Sequence, residues 1–263
     1  MDPKPRRKKW KRWALLCLVA APALLALWAF GIEPYWIEVT RHETGSGPRE
    51  LVVLHLTDIH VSTPGRRERR VLEIAEAEKP DLIVITGDSV LHGYDRAGFG
   101  DFMSKLRAPM GVFACPGNWE DWVGRSVDED YEKAGVRMLR DASVGLPGVP
   151  AELLGLSSAH APVPDGSGRF RIALCHYPAS LSAAARKGVD LVLAGHSHGG
   201  QVRLPFAGAL ALPFDCDGRE AGWYEEGKTR LYVSRGVGTS ILPVRFLCRP
   251  EVAVHRVRFE PGP

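Results

Sequence analysis

Seven residues of metal-binding type each stand just after a short apolar run in this sequence. LVVLHL (Leu51–Leu56) leads into TDIH, with Asp58 and His60, and DLIVIT (Asp81–Thr86) into TGDS, with Asp88. GVFAC (Gly111–Cys115) leads into PGNWE, with Asn118, and RIALC (Arg171–Cys175) ends at CHYP, with His176. VDLVLAG (Val189–Gly195) runs into AGHSHGGQ, with His196 and His198. Two carboxylates, one amide and four imidazoles form a mixed oxygen and nitrogen donor set suited to Mn, Fe or Zn. Each piece alone is weak, because DIH is a common turn and GD after a strand is commonplace. The weight lies in five of them, in order, each at the end of an apolar run.

These runs read as strands, and helix-like stretches separate them. Arg66–Glu78 has helical spacing with Val71, Leu72, Ile74 and Ala75 inward. Further helices are expected over Arg96–Leu106, over Ser126–Ala134 with Ser126 as N-cap, and over Pro178–Arg186. TRLYVS and VAVHRVRF look like later strands. Strands alternating with helices predict an α/β protein, a layered sheet covered on both faces. In open α/β sheets ligands gather at the carboxyl ends of the strands, so the seven residues are expected on one rim.

The 263 residues are 45% hydrophobic and 25% charged, which is ordinary for a globular chain. The net charge of +3 is a property of one end. Lys4, Arg6, Arg7, Lys8, Lys9, Lys11 and Arg12 are seven of the 34 basic residues, beside the single acid Asp2. Removing that segment from the totals of 34 and 31 leaves 27 basic against 30 acidic residues. No basic face remains to neutralise phosphates along a nucleic acid, so no nucleic-acid partner is expected. Trp13–Ile32 carries no charge and has the length of a membrane-spanning helix, with Trp13 and Trp28 near its ends. Pro22 would kink such a helix. Two readings are open, an uncleaved anchor and a signal peptide cut near Ala29–Gly31. In both, the basic residues stay cytoplasmic and the rest crosses.

The expected organisation is a basic cytoplasmic tail (1–12), an anchor or signal (13–32), a Gly/Ser/Pro-containing linker (33–50) and a globular domain (51–263). The expected location is the inner membrane, single-pass, with the domain on the extracytoplasmic side. Among the five cysteines, Cys115 and Cys175 read as buried thiols, and Cys216 and Cys248 are candidates for pairing in an oxidising compartment.

The order D-x-H, GD, GN-x-[ED], H, GH-x-H resembles the calcineurin-like metallophosphoesterases, from Leu51 to about Phe259. GHSHGGQ, GTSILPVRFLCRPEV and the N-terminal span are most similar to its membrane-anchored bacterial subgroup. The resemblance implies a four-layer α/β/β/α sandwich of two mixed sheets and two divalent cations. Asp58, His60, Asp88 and His198 would hold one cation. Asp88 would bridge to a second held by Asn118, His176 and His196. Asp88, Asn118 and His176 are the expected catalytic residues. The implied reaction is hydrolysis of a phosphodiester or phosphomonoester, lipid-linked substrates included, by a hydroxide bridging the metals.

One position departs from the pattern. The family's GNH places an imidazole where it can protonate a departing alkoxide, and here Trp119 has only an indole N–H. Three explanations are open. His92 or His160, in neighbouring loops, supplies the acid. Or none is needed, as for the low-basicity leaving group of a diphosphate. The related UDP-2,3-diacylglucosamine hydrolases also lack a histidine there and are the alternative function. Or the protein is a metal-binding membrane module without turnover. Trp119 itself reads either as packing beneath the site or as a surface for a base, sugar or acyl chain.

Overall fold

The computed structural model describes residues 6–166 and 168–260, so the first five residues of the expected basic tail lie outside the described part. Helix α1 (Arg6–Leu27) carries Pro22 inside it and runs into a π-helical turn (Trp28–Ile32) and a 3₁₀ turn (Glu33–Tyr35). Within this segment, Leu16–Tyr35 is long and apolar enough to cross a membrane, shifted three residues from the expected Trp13–Ile32. The chain continues as β1 (Glu38–Gly45), β2 (Arg49–Leu56), α2 (Arg66–Glu78), β3 (Leu82–Thr86) and α3 (Arg96–Lys105). Then come β4 (Val112–Cys115), α4 (Asn118–Val123), α5 (Ser126–Lys133), β5 (Val136–Met138), β6 (Ala142–Gly145) and β7 (Ala151–Leu156). The remainder is β8 (Phe170–Cys175), α6 (Leu181–Arg186), β9 (Leu191–Ala194), the small ladder β10 (Arg203–Leu204) and β11 (Gly208–Ala209), β12 (Gly222–Glu226), β13 (Thr229–Val233) and β14 (Glu251–Phe259).

The large strands form two six-stranded mixed sheets, ordered β1-β14-β2-β3-β4-β5 and β12-β13-β9-β8-β7-β6. Period-2 alternation sorts their side chains. Leu51 and Val53 of β2, Ala253 and Val257 of β14, and Leu82 and Val84 of β3 meet Leu153, Ile172, Leu174, Leu191 and Leu193 between the sheets. The opposite faces, with Leu54, Leu56, Ile83 and Ile85, take α2, α3 and α5 through Val71, Ile74, Phe99, Phe102 and Tyr131. The outer face of the second sheet takes α6 through Leu181 and Ala184. Each fully buried aliphatic or aromatic side chain contributes about 1.5–3 kcal/mol. The result is a four-layer α/β/β/α sandwich, two packed sheets where alternation alone predicted one covered sheet.

Three expectations need correction. Residues 33–50 are not a linker before a domain starting near Leu51. Glu38–Gly45 is an edge strand paired in parallel with β14 from Glu38↔Glu251 to Gly45↔Arg258. Its sequence EVTRHETG is polar because most of the strand is only partly buried. Ser126 is the first residue of α5 rather than its cap, since the cap position falls on Arg125 without a side-chain bond. Cys216 and Cys248 are both buried free thiols, and Cys248 Sγ lies against the His198 carbonyl at 3.2 Å.

Candidate metal centre

The first sheet aligns the ends of its parallel strands, with Leu56 beside Ile85 and Thr86 beside Cys115. The loops carrying Asp58 and His60, Asp88, and Asn118 therefore emerge side by side. In the second sheet Leu174 pairs with Leu193, which brings out His176 and His196–His198 together. The two rims are tied by the His176 ring, whose Nδ1 lies 2.8 Å from the Thr86 carbonyl. That geometry needs close backbone approach. A Cβ at Gly117 would collide with the Asp88 carboxylate, and one at Gly195 with Thr57 and Asp58.

Two groups of converging ligand atoms result: Asp58, His60 and His198, and Asp88, His176 and His196, each within 4.8 Å of one another. Each aspartate ties one oxygen to the scaffold and leaves the other to the centre. Asp58 Oδ2 accepts from the Thr57 hydroxyl at 2.9 Å and the His196 N–H at 3.0 Å. Its Oδ1 faces His198 Nε2 at 3.2 Å and His60 Nε2 at 3.9 Å. Asp88 Oδ1 accepts from the Trp119 N–H at 2.9 Å. Asp88 Oδ2 lies 3.3 Å from His176 Nε2 and 3.8 Å from His60 Nε2, between the two groups.

The arrangement suits cations. His60 Nε2 and His198 Nε2 stand 3.1 Å apart, and His176 Nε2 and His196 Nδ1 2.9 Å apart. Asp58 Oδ1 and Asn118 Oδ1 are buried with no hydrogen-bond partner among the described residues. Buried acceptors without donors are costly, and a divalent ion satisfies them. Burial lowers the affinity of His60 for a proton, to a pKa of about 3, and that of His196 to about 4, so both are neutral donors at pH 7. Burial acts the same way on His176, but Asp88 and Asp58 outweigh it and raise it to about 10. The ligand backbones are also strained. Asp58, His60, Asp88, His196 and His198 all have φ between 50 and 66°, a region costing non-glycine residues about 1 kcal/mol or more.

A hydrogen bond on the far side of the ring orients two of the four imidazoles. His176 has Thr86, and His196 Nε2 lies 2.8 Å from the Phe214 carbonyl. His60 Nδ1 and His198 Nδ1 have no such partner among the described residues.

Of the residues weighed as the acid or as substrate contacts, the structure brings Trp119 to the centre, and His92, which is exposed, only to Trp119. Trp119 packs edge-on against His60 with ring centroids 5.7 Å apart, and His92 against Trp119 at 5.5 Å. Trp122 extends the row at 5.3 Å. His160 is exposed, its N–H bonding Ser158 Oγ at 3.3 Å, and no contact among the described residues joins it to the centre.

Glu120, the acid of the GN-x-[ED] motif, has a positioning role that the motif alone does not show. It is buried, and its Oε2 accepts from the N–H groups of Asp88 at 2.7 Å and Gly117 at 2.8 Å. Its Oε1 accepts from Ser89 N–H at 2.8 Å and the Tyr131 hydroxyl at 3.0 Å. One carboxylate thus fixes both the Asp88 loop and the start of α4. Burial and the nearby Asp88 push its carboxyl pKa up, against those N–H groups. The signal was present in GNWE, an acid at the third position of a helix, where it reaches back to the capping residue's N–H.

The calcineurin-like phosphoesterase family matches residues 51–200, which contain every one of these candidate ligands. The chain belongs to that family. It is 32% identical to the phosphodiesterase YaeI of Escherichia coli strain K12, over 84% of this chain and 88% of that one. It is 31% identical to the uncharacterized metallophosphoesterase YkuE of Bacillus subtilis strain 168, over 91% and 93%. It is 25% identical to the UDP-2,3-diacylglucosamine pyrophosphatase LpxG of Chlamydia muridarum, over 94% and 97%. This phosphoesterase is a metal-dependent hydrolase, and its two ligand groups are candidate sites for divalent ions.

Proposed function

We propose that this phosphoesterase hydrolyses a phosphodiester or phosphomonoester whose leaving group departs without help from a side-chain acid. The observation that carries the reading is the position of Asp88 Oδ2 between His60 and His176. Asp58, His60, Asp88 and His198 would hold one cation, and Asp88, Asn118, His176 and His196 the other. Bound, the cations polarise the phosphoryl oxygens and supply an activated water. The residues do the rest. The Trp119 N–H and Glu120 orient Asp88, Thr57 and the His196 N–H orient Asp58, and Thr86 fixes the His176 ring. Asn118 contributes an uncharged oxygen, which leaves its cation more electrophilic than a carboxylate would.

Trp119 stands where the family places its acid, in contact with a ligand ring, and an indole gives up no proton near neutral pH. That favours substrates with weakly basic leaving groups. The same observation supports a second reading, cleavage of a UDP-2,3-diacylglucosamine-type diphosphate, the activity in LpxG's name. Topology opposes it, because the basic N-terminus directs the domain away from the cytoplasm, where nucleotide-linked lipid precursors are made. We read α1 as an uncleaved inner-membrane anchor. In support, Ala29 and Glu33 are buried against the domain, so the region of the candidate cleavage site is part of the fold.

The test is turnover by the full-length protein in detergent with Mn²⁺, against an aryl phosphodiester, an aryl phosphomonoester and a UDP-linked lipid diphosphate. Turnover of the aryl esters supports the first reading. Turnover of the diphosphate alone selects the second and overturns the topology.

A further inference from the structure

We propose that the loops 203–215 and 239–247 form an apolar bilayer-docking rim that holds the metal centre against the membrane, so that the phosphate taken is that of a membrane lipid. The proposal rests on the anchor and hydrolase readings above.

The first observation is where the candidate span ends. Its apolar window closes at Tyr35, and β1 begins at Glu38, so almost no chain separates membrane from domain. The last turns of the span are also inside the domain. The Ala29 carbonyl accepts from Arg245 N–H at 2.9 Å, and Glu33 accepts from Cys248 N–H at 2.5 Å and Trp28 Nε1–H at 2.6 Å. These bonds bury Glu33 in the domain and place the segment 245–248 at the domain end of the candidate span. Trp36 is exposed beside it, with the Arg249 guanidinium over its ring at 4.1 Å, a pairing suited to the headgroup layer.

The second observation is what the loops bonded to that segment display. Phe206, Phe214 and Ile241 are 110%, 93% and 94% exposed, and Leu210, Leu242 and Leu247 are exposed too. Single exposed apolar residues are ordinary, but a group on joined loops marks an interaction surface. The loops are joined. Arg203 N–H bonds the Phe246 carbonyl at 2.9 Å, and the Gln201 side chain bonds the carbonyls of Ser240 at 3.2 Å and Leu242 at 3.1 Å. Phe206, Ile241 and Leu247 have φ of 66, 61 and 53°. Glycine or asparagine would hold those turns with less strain, so an apolar side chain is present at a backbone cost.

The third observation is the distance to the chemistry. The Phe214 carbonyl orients His196 at 2.8 Å, and Arg245 bonds the carbonyls of Gly236 at 3.1 Å and Gly238 at 2.6 Å. Gly238 N–H in turn bonds the Asp58 carbonyl at 2.6 Å. Hydrogen bonds thus join the rim to both ligand loops.

The experiment uses the full-length protein in phosphatidylcholine/phosphatidylglycerol vesicles carrying a lipid with a headgroup-level nitroxide quencher. An environment-sensitive fluorophore is placed at Ile241→Cys, at Phe214→Cys and, as a control on α5, at Glu129→Cys, each with Cys17→Ser. Native Cys17 is labelled separately. The expected result is quenching at 241 and 214 several-fold stronger than at 129. Equal, weak quenching at all three with strong quenching at Cys17 overturns docking and leaves the hydrolase reading intact. No quenching at Cys17 overturns it by removing the anchor. A second arm measures the triple variant Phe206→Ser/Ile241→Ser/Leu242→Ser. In vesicles to which phosphatidic acid is added as substrate, its turnover should fall about tenfold or more, with a soluble aryl phosphodiester unchanged within about twofold. An equal effect on both substrates overturns the proposal. Absence of aryl ester turnover in the unsubstituted protein is instead the failure of the hydrolase reading.

Discussion

Two groups of histidines lie in this molecule, and their surroundings give them opposite roles. His60, His176, His196 and His198 stand at strand ends, with nitrogens aimed at one another and at Asp58 and Asp88. His42, His55 and His255 lie on β1, β2 and β14, where the first sheet faces the second. His42 stacks on His255 at 5.3 Å, His55 sits 5.7 Å from His255, and Tyr232 packs on His42 at 4.3 Å. Glu251 is nearby but already taken by Thr40, Tyr232 and Arg235. Burial therefore dominates there. It pushes His55 to about 4 and His255 well below the ordinary histidine value, and both are neutral packing groups. Clustering of imidazoles is not the mark of a metal centre. Free carboxylate oxygens among converging nitrogens are.

The sharpest break of this contrast is Asp88→Asn. It removes the charge shared between the two ligand groups, and turnover should fall about 10³-fold, with bound metal reduced and the melting temperature of the metal-free protein little changed. Full activity in this variant, measured with metal analysis, would place the chemistry elsewhere. Glu120→Gln is next. Four donors point at its two oxygens, and an amide offers only one acceptor, so the Asp88 loop loosens and metal affinity should drop about 10–100-fold. Metal titration of turnover reads this as a higher metal requirement, which high Mn²⁺ restores in part. Trp119→His acts in the opposite direction. It returns an acid to the centre, and turnover of an alkyl phosphodiester should rise about tenfold or more, with the aryl ester nearly unchanged.

The smallest effect on activity belongs to the interior group. His255→Phe should leave turnover at pH 7 unchanged and alter only acid stability. The sign follows from its lowered folded-state pKa. Between about pH 6.5 and the folded value the unfolded chain binds a proton that the fold excludes, so stability falls as pH falls. For His55, whose folded value is about 4, the loss over that window is up to about 3 kcal/mol at ~1.4 kcal/mol per unit. Replacing His255 should flatten the decline, as read by urea unfolding of metal-free protein at pH 7 and pH 5. A steeper decline would show that His255 is charged in the fold.

The same contrast explains what the sequence disclosed. The candidate ligands were legible as a group because apolar runs announce buried strands and polar residues directly after them fall on the rim. α2 was legible to the residue, Arg66–Glu78, because its one apolar face fits a 3.6 period. The interior histidines were not, since LHL and VHR within strands report only alternation. β1 escaped because an edge strand need not be apolar, and its parallel partner β14 lies at the other end of the chain. Glu120 escaped because its importance lies in four donors from three separate segments, which only the folded chain assembles.

The most direct test of the central claim is stepwise addition of Mn²⁺ to metal-stripped, full-length protein, with bound metal and aryl phosphodiester turnover followed together. The account predicts two bound ions per chain, with turnover appearing as the second site fills. Saturation at one ion with full turnover, or turnover in the stripped protein, would contradict it.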